Sequence, residues 1–316
     1  MDVRQEVLLA EKRIRPHIRE TYLEHSPRLS ELGDANVYCK LENLQHTGSF
    51  KVRGALNKVL SLPEEQRARG VVAASTGNHG AAVAFALKKL GAPGVVFVPE
   101  SAVESKVDVI RALGAEVRAV GGDPIEGEIY ARRYAAENEL TYVSPYNDRQ
   151  VIGGQGTIAV ELERQLDPID AVFVSLGGGG LISGIAGYLN TIHPGAEFIG
   201  CSPINSPVMI ESVKAGEIVE MTSLPTLSDG TAGGVEAGAI TFELCRELVD
   251  DYVTVTEDEI EDALRLFVRT HRMLIEGAAA VAVASYLQTR RRFAGKNVVI
   301  VICGANINPD TLKDIL

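Results

Sequence analysis

The feature that most constrains the fold is a regular alternation between residues 70 and 143. Four short apolar runs occur there, with a helical pattern between each run and the next. We predict strands over residues 71–74, 95–98, 116–120 and 141–143, with helices over 81–90, 103–113 and 124–139. Strands that alternate with helices form a parallel sheet covered on both faces. The segment therefore predicts an α/β unit.

Before this segment, we predict a helix over 1–14, a strand over 37–41 and a helix over 54–62. After residue 150 the same alternation of strands and helices resumes. We predict further strands over 171–176, 197–201, 252–255 and 298–303, and helices over 156–165, 181–192, 207–214, 241–249, 257–271 and 276–289. Two α/β units predict two lobes, each a mostly parallel twisted sheet flanked by helices. We expect a large domain from residues 1–69 and 146–316 and a small domain from 70–145. Ligands of such sheets bind beyond the carboxyl ends of the strands.

Charge and composition argue against several classes of partner. The net charge of -11 disfavours nucleic acid and anionic membranes. The chain has no apolar run of 18 residues and no apolar signal core near Met1, so we expect a cytoplasmic protein without a membrane partner. Four widely spaced cysteines, with no CxxC pair, give little support for a zinc site or a redox dithiol. We expect no metal.

Four consecutive glycines, residues 177–180, follow the predicted strand over 171–176 and precede a helix. Glycines let backbone N–H groups approach an anion, and the start of a helix favours phosphate. The pattern matches neither GxGxxG nor GxxxxGK[ST], so a dinucleotide or Walker-type site fits poorly. A single phosphate fits better, and a plain flexible loop is the alternative.

Lys51 lies in a weakly charged stretch, residues 42–54, and follows Phe50. A half-buried lysine loses affinity for protons, and a neutral amine can attack an aldehyde to form an imine. The residues alone leave open that this stretch only connects a strand to a helix.

Residues 75–80, Ser-Thr-Gly-Asn-His-Gly, follow a predicted strand and precede a helix. Their hydroxyls and N–H groups suit a carboxylate at a helix start. An ordinary capping loop is equally consistent with the pattern. His79 by itself is more typical of a structural histidine than of a base.

Three further features have structural explanations at least as strong as the functional ones. Cys303 ends the last predicted strand, where a thiol could meet a ring nitrogen or could simply be buried. Residues 229–234 form a glycine-rich turn. Glu276 begins an alanine-rich helix, where an acid is favoured by the helix dipole anyway.

Together these segments resemble the fold type II pyridoxal-phosphate enzymes, and more narrowly the serine/threonine dehydratase (ammonia-lyase) and serine racemase group. The resemblance runs through nearly the whole chain in family order, at residues 49–55, 75–80, 153–157, 177–181, 250–260 and 303–306. One such motif would be weak, but the complete ordered set is very specific. The resemblance implies pyridoxal 5′-phosphate as the cofactor and a homodimer as the assembly.

The resemblance also implies roles for individual residues. Lys51 would hold the cofactor as a Schiff base and then act as acid and base, with Thr76 as a second catalytic candidate. Phe50 would pack on the ring, Asn78 would bond its hydroxyl, and Cys303 would face its nitrogen. The cofactor-binding set is Phe50, Lys51, Asn78, Gly177, Gly178, Gly179, Gly180, Leu181, Gly230, Glu276 and Cys303. The substrate-binding set is Ser75, Thr76, Asn78 and His79.

These roles predict beta-elimination from a small hydroxy amino acid. A thiol at Cys303 keeps the ring nitrogen largely neutral, which makes the ring a weaker electron sink and favours rapid loss of a beta hydroxyl. We expect a threonine or serine dehydratase that releases a keto acid and ammonia. The other candidates are an amino acid racemase, a 3-hydroxyaspartate or hydroxyectoine-pathway dehydratase, a cofactor-binding protein without turnover, and a nucleotide-dependent oxidoreductase.

Some positions depart from the family pattern. Thr76 stands where serine racemases carry a reactive serine and simple dehydratases commonly carry alanine. Ser202-Pro203 and Val208 replace the Glu–Pro and Asp of relatives with a divalent-cation site, so two hard oxygen ligands are missing. Gly277 replaces a proline found in many threonine dehydratases, a variant shared with hydroxyectoine-utilisation dehydratases.

Overall fold

The computed structural model describes residues 1–102, 104–121 and 124–316. Its strands are β1 Leu23–His25, β2 Asn36–Leu41, β3 Val71–Ala74, β4 Gly94–Val98, β5 Glu116–Ala119, β6 Thr141–Tyr142, β7 Ala171–Ser175, β8 Glu197–Pro203, β9 Asp251–Val255 and β10 Asn297–Ile302. Its helices are α1 Val3–Ile14, α2 Pro27–Gly33, α3 Lys51–Ser61, α4 Glu64–Arg69, α5 Asn78–Leu90, α6 Glu104–Ala112, α7 Pro124–Glu137, α8 Arg149–Gln165, α9 Gly180–Leu189, α10 Val208–Ala215, α11 Ile240–Leu248, α12 Glu257–His271, α13 Gly277–Thr289 and α14 Pro309–Ile315.

The larger sheet has six strands in the order β1-β2-β10-β7-β8-β9. Only β1 runs antiparallel to its neighbour, and the other four pairings are parallel. The central strands β7 and β10 are apolar and almost wholly buried, as expected for a parallel sheet covered on both faces. Helix α13 packs on this sheet through small side chains and is buried along most of its length.

The smaller sheet has four parallel strands in the order β5-β4-β3-β6. Its strands all come from residues 71–142, and α5, α6 and α7 pack against them. The prediction of an α/β fold with two mostly parallel sheets is therefore confirmed. Helix α3 contacts both α5 and α8, so the exact domain boundaries stay a prediction.

Several elements begin earlier than the sequence pattern predicts. Helix α3 begins at Lys51 instead of residue 54, and α5 begins at Asn78 instead of residue 81. Helix α8 begins seven residues early, because the Asp148 side chain caps it by accepting from the N–H groups of Gln150 and Val151. Residue 103, the first of the predicted helix over 103–113, lies outside the described residues. No helix within the described ranges is both long and apolar enough to cross a bilayer.

Candidate active site

Lys51 is the first residue of α3 and points into a cleft between the two sheets' strand ends. Its Nζ donates a hydrogen bond to the carbonyl of Pro145 at 2.8 Å and lies 5.2 Å from the centroid of the Phe50 ring. Burial lowers the pKa of Lys51 to about 8, although Cys303 and Glu276 act in the opposite direction. A substantial fraction of this amine is therefore neutral near physiological pH.

The turn before Lys51 has an unusual backbone. Thr47 has a φ of 63° and Gly48 a φ of 70°, so both lie in the left-handed region. Such a φ is strained for a β-branched residue. A Cβ on Gly48 would lie 2.8 Å from Oδ1 of Asn306, so only glycine fits there. The Phe50 N–H donates to the carbonyl of Cys303, which ties the turn to the end of β10.

The glycines at 177–180 form the loop between β7 and α9, with Gly179 at a φ of 84°. A Cβ on Gly177 would lie 2.8 Å from the carbonyl of Thr231, and one on Gly178 would lie 2.3 Å from the Tyr146 ring. The loop therefore has no room for side chains. The N–H groups in the first turn of a helix lack acceptors in their own helix and attract phosphate.

Asn78 is held by a polar network around the buried carboxylate of Glu276. Its Nδ2 donates to both carboxylate oxygens of Glu276, at 2.9 and 3.0 Å, and its Oδ1 accepts from the side chain of Asn306. Glu276 also accepts from the backbone N–H of Asn306 at 3.0 Å. Burial raises the pKa of Glu276, although the Asn78 hydrogen bond opposes it. The network fixes the direction of the Asn78 amide at the edge of the cleft.

Cys303 is buried directly after β10, with its Sγ 3.8 Å from Glu276 Oε1. Burial, followed by the neighbouring charge of Glu276, raises the pKa of Cys303 well above its ordinary value. The thiol is therefore neutral, and it can face a ring nitrogen without supplying a negative charge.

The predicted substrate loop lies at the start of α5. The Ser75 Oγ accepts from the N–H of Gly77 at 3.1 Å, and Thr76 is half-buried beside it. The ring of His79 is buried, and its Nε2 donates to the carbonyl of Val143 at 2.8 Å. Burial lowers the pKa of His79 to about 3, with Lys51 contributing, so the ring is neutral. Its side chain is thus already engaged, and its substrate role remains a prediction.

The structure brings together in one cleft all the residues predicted to bind the cofactor, from Phe50 and Lys51 through the glycine loop and Leu181 to Gly230, Glu276 and Cys303. Ser75, Thr76 and His79 do not line this cleft. Five lining residues were not predicted: Pro145, Tyr146, Ser175, Thr231 and Ala278. Pro145 and Tyr146 follow β6, and Ser175 ends β7, so the rule that ligands lie beyond strand ends could have found them.

The cleft encloses about 480 Å³ of atom-free space, counting its open mouth. It combines a loop that excludes side chains, a half-buried amine, an amide and a neutral thiol. These donors fit a phosphorylated aromatic aldehyde. Across the described ranges, no group of three or more His, Cys, Asp and Glu residues is placed to hold a metal ion.

Comparison with protein families gives a match to the family described as pyridoxal-phosphate dependent enzymes over residues 14–304. The chain is 40% identical over 312 residues to an L-threonine ammonia-lyase of Thermotoga maritima, covering 99% of this chain and 77% of that protein. It is 37% identical to a putative threonine dehydratase of Sinorhizobium fredii, covering 97% of this chain and 93% of that one.

Solved structures give the same result at the level of the fold. The processed form of threonine deaminase isoform 2 from Solanum lycopersicum superimposes with a TM-score of 0.94 at 34% identity, covering 99% of this chain and 86% of that chain. Maize serine racemase superimposes with a TM-score of 0.93 at 30% identity, covering 98% and 95% respectively.

Proposed function

The chain belongs to the family of pyridoxal-phosphate dependent enzymes, and on that premise we propose that it is an ammonia-lyase acting on L-threonine, L-serine or a related 3-hydroxy amino acid. The products are a keto acid and ammonia, formed by beta-elimination. The observation that carries this proposal is the half-buried amine of Lys51, facing the same cleft as the glycine loop at 177–180. The similar threonine ammonia-lyases support the substrate class.

The cofactor is pyridoxal 5′-phosphate, which when bound supplies an aldehyde that joins to amines and a ring that withdraws electrons. We assign its phosphate to the backbone of residues 177–181 and its ring to the space beside Phe50. Asn78, oriented by Glu276, would bond the ring hydroxyl. Cys303 would face the ring nitrogen as an uncharged partner.

Lys51 moves the proton in this proposal. With a pKa of about 8, its Nζ can take the proton from the alpha carbon of the substrate near neutral pH. The beta hydroxyl then leaves with a proton as water. The start of α5 offers N–H groups and the hydroxyls of Ser75 and Thr76 for the substrate carboxylate. Water finally replaces the amino group, giving the keto acid and free ammonia.

The direct test is a substrate panel of L-threonine, L-serine and 3-hydroxyaspartate, read by release of keto acid and of ammonia. We expect both products from at least one of the three, and none with Lys51→Ala. If the wild-type protein produces neither from any member of the panel, the proposal is wrong.

Racemisation is a second candidate that rests on the resemblance, because Thr76 stands where serine racemases carry a reactive serine; it lies just before α5 and does not line the cleft. Chiral analysis of serine after incubation detects it. Thr76→Ala should then abolish racemisation and spare elimination. We also propose a homodimer, on the resemblance alone, which light scattering can test. A cytoplasmic location is proposed because the four cysteines are buried free thiols, which suit a reducing compartment.

A further inference from the structure

A buried ion cluster lies next to Lys51 and has no part in the chemistry described above. It consists of Lys40, Glu42, Arg53 and Glu161, whose side chains are all 0% exposed. None of these four residues lines the cleft. The two cations of the cluster balance its two anions, and the partly exposed Arg15 donates to Glu161 from the edge of the cluster at 2.8 Å. Burial of four charges is costly, and apolar side chains of similar size often stabilise a fold as well or better. Stability alone therefore does not explain the cluster.

Arg53 is the centre of the cluster. Its guanidinium forms a bidentate pair with Glu42, through Nε–Oε2 at 2.8 Å and Nη2–Oε1 at 2.7 Å. It donates to both oxygens of Glu161 at 2.8 and 3.0 Å, and to Oγ1 of Thr157 at 3.1 Å. Five contacts match the five N–H donors of the group. Lys40 donates separately to Glu161 at 2.6 Å.

The Glu42–Arg53 pair closes the segment that carries Lys51. Glu42 follows β2 directly, and Arg53 lies in the first turn of α3, two residues after Lys51. We call this pair the clasp. Between its ends lies the left-handed turn at Thr47 and Gly48. A strained turn persists only where its surroundings fix it from several sides.

Two buried hydroxyls inside the segment make its conformation energetically unfavourable. The hydroxyls of Thr47 and Ser49 are buried and have no hydrogen-bond partner among the residues that the structure describes. Unsatisfied buried hydroxyls favour other conformations of the segment. A planar fork that pairs bidentately accepts only one orientation of its partner. The clasp therefore fixes the orientation of the segment, which the turn by itself does not fix.

We propose that the Glu42–Arg53 clasp is a positioning device for Lys51: it holds the strained segment 42–53 in the one conformation that directs the lysine amine into the cleft. The proposal rests on the proposed function of Lys51 as the amine that receives the cofactor. Arg53 is thus a positioning residue, acting through the backbone of α3 and touching neither cofactor nor substrate.

Two charge-balanced double variants separate positioning from general stability. Glu42→Leu/Arg53→Met removes the clasp and leaves Lys40 paired with Glu161. Lys40→Met/Glu161→Leu removes the other pair, together with the Arg53–Glu161 and Arg15–Glu161 contacts, and keeps the Glu42–Arg53 pair itself. Each double deletes one cation and one anion from the same buried cluster, so the change in formal charge is matched, and the control is the harsher of the two because Glu161 has more partners than Glu42 has among the basic residues. The primary readout is the rate at which each apoprotein captures pyridoxal phosphate, seen as the visible absorbance of the lysine adduct.

We expect capture, and kcat for any accepted substrate, to fall roughly 10- to 100-fold without the clasp, since a displacement of about 1 Å can cost that much. The control should stay within about threefold of wild type, at a comparable melting temperature. Equal rates in the two doubles, whether both are impaired or both are unimpaired, would overturn the proposal. Because capture needs no turnover, it decides the question even if the substrate panel shows no product.

Arg53→Lys provides a second test that keeps the charge and removes only the fork. We expect a folded protein with slowed capture and with kcat reduced more than KM is changed. Capture at the wild-type rate in this variant would show that the fork does not position Lys51, even if the double variants do not fold.

Discussion

At the scale of single residues, the account depends on the protonation of a few buried groups. Burial lowers the pKa of the Lys51 amine and of the His79 ring, and it raises the pKa of the Cys303 thiol. All three shifts have desolvation as their largest cause, which disfavours the charged form in each case. The cleft therefore presents an amine that loses its proton near pH 8 and a neutral thiol, with the neutral ring of His79 outside its lining.

The lowered pKa of Lys51 predicts how cofactor capture depends on pH. Only the neutral amine attacks an aldehyde, so the capture rate should rise with pH and level off above about 8. At pH 7 about a tenth of such an amine is neutral, against about one part in 3,000 for an ordinary lysine. Stopped-flow absorbance over pH 6–10 measures this, and a midpoint near the ordinary lysine value would contradict it.

The buried thiols predict resistance to alkylation. Burial raises the pKa of all four cysteines, including Cys245 to about 12 and Cys201 to about 12. Since the thiolate is the reactive form, iodoacetamide at pH 7.5 should modify none of them in the folded protein. Mass spectrometry before and after denaturation checks this, with the denatured protein as the positive control. Rapid labelling of Cys303 in the native protein would show that the thiol is ionised.

Tyr146 predicts an effect on cofactor retention. Its ring lies against Gly178, its backbone and Cβ lie beside Gly180, and its hydroxyl accepts from the N–H of Glu236 at 2.9 Å. Tyr146→Ala should open the glycine loop to water and weaken pyridoxal phosphate binding roughly tenfold, about 1.4 kcal/mol. Tyr146→Phe keeps the ring and is the control. Equal binding by the alanine variant and wild type would show that the ring does not cover the phosphate site.

At the scale of elements, the site depends on how closely two helices approach. Helix α9 begins at the glycine loop and packs against α8. The two helices meet at glycines: a Cβ on Gly184 would lie 2.5 Å from the carbonyl of Ile152, and one on Gly156 would lie 2.7 Å from the carbonyl of Gly184. The position of the glycine loop at 177–180 is thus set by a helix contact that only glycine permits.

That contact predicts a large effect of Gly184→Val. The new side chain would meet backbone that cannot move aside, so we expect a loss of about 3 kcal/mol or more in the free energy of unfolding. Gly127→Ala on α7 is the control, because a Cβ there meets no atom of the described residues within 4 Å. It should be neutral or stabilising by about 0.5–1 kcal/mol. Urea denaturation compares the two, and a Gly184→Val protein as stable as wild type would contradict the packing.

At the scale of the whole molecule, the sequence predicts the two parallel sheets well, because alternating apolar runs and helical patterns are local signals. The short elements β1, α2, α4 and α14 have too few residues to show a period, and they were not predicted. The pattern of apolar residues also gives no information about contacts between residues that are far apart in the chain. Arg53 is 108 residues from Glu161, and Tyr146 contacts a loop more than 30 residues away. The residues predicted to bind the cofactor follow from the order of the motifs, whereas the contacts of Arg53 and Tyr146 become visible only in the folded structure.

The cleft lies between strand ends of both sheets, so a bound cofactor should stabilise the whole molecule. At a free concentration 100 times its Kd, pyridoxal phosphate adds about 2.7 kcal/mol to the free energy of unfolding. We expect the melting temperature of the holoprotein to exceed that of the apoprotein by several degrees. Differential scanning calorimetry measures this. Identical melting temperatures would argue that the cleft does not bind the cofactor.

The most direct measurement is the identification of the side chain that bears the cofactor. Reduction of the holoprotein with borohydride, followed by peptide mass spectrometry, converts the labile linkage into a stable one. The account predicts a single phosphopyridoxyl adduct on Lys51 and none in Lys51→Ala. An adduct on another lysine, or no adduct in wild-type protein loaded with the cofactor, would contradict it.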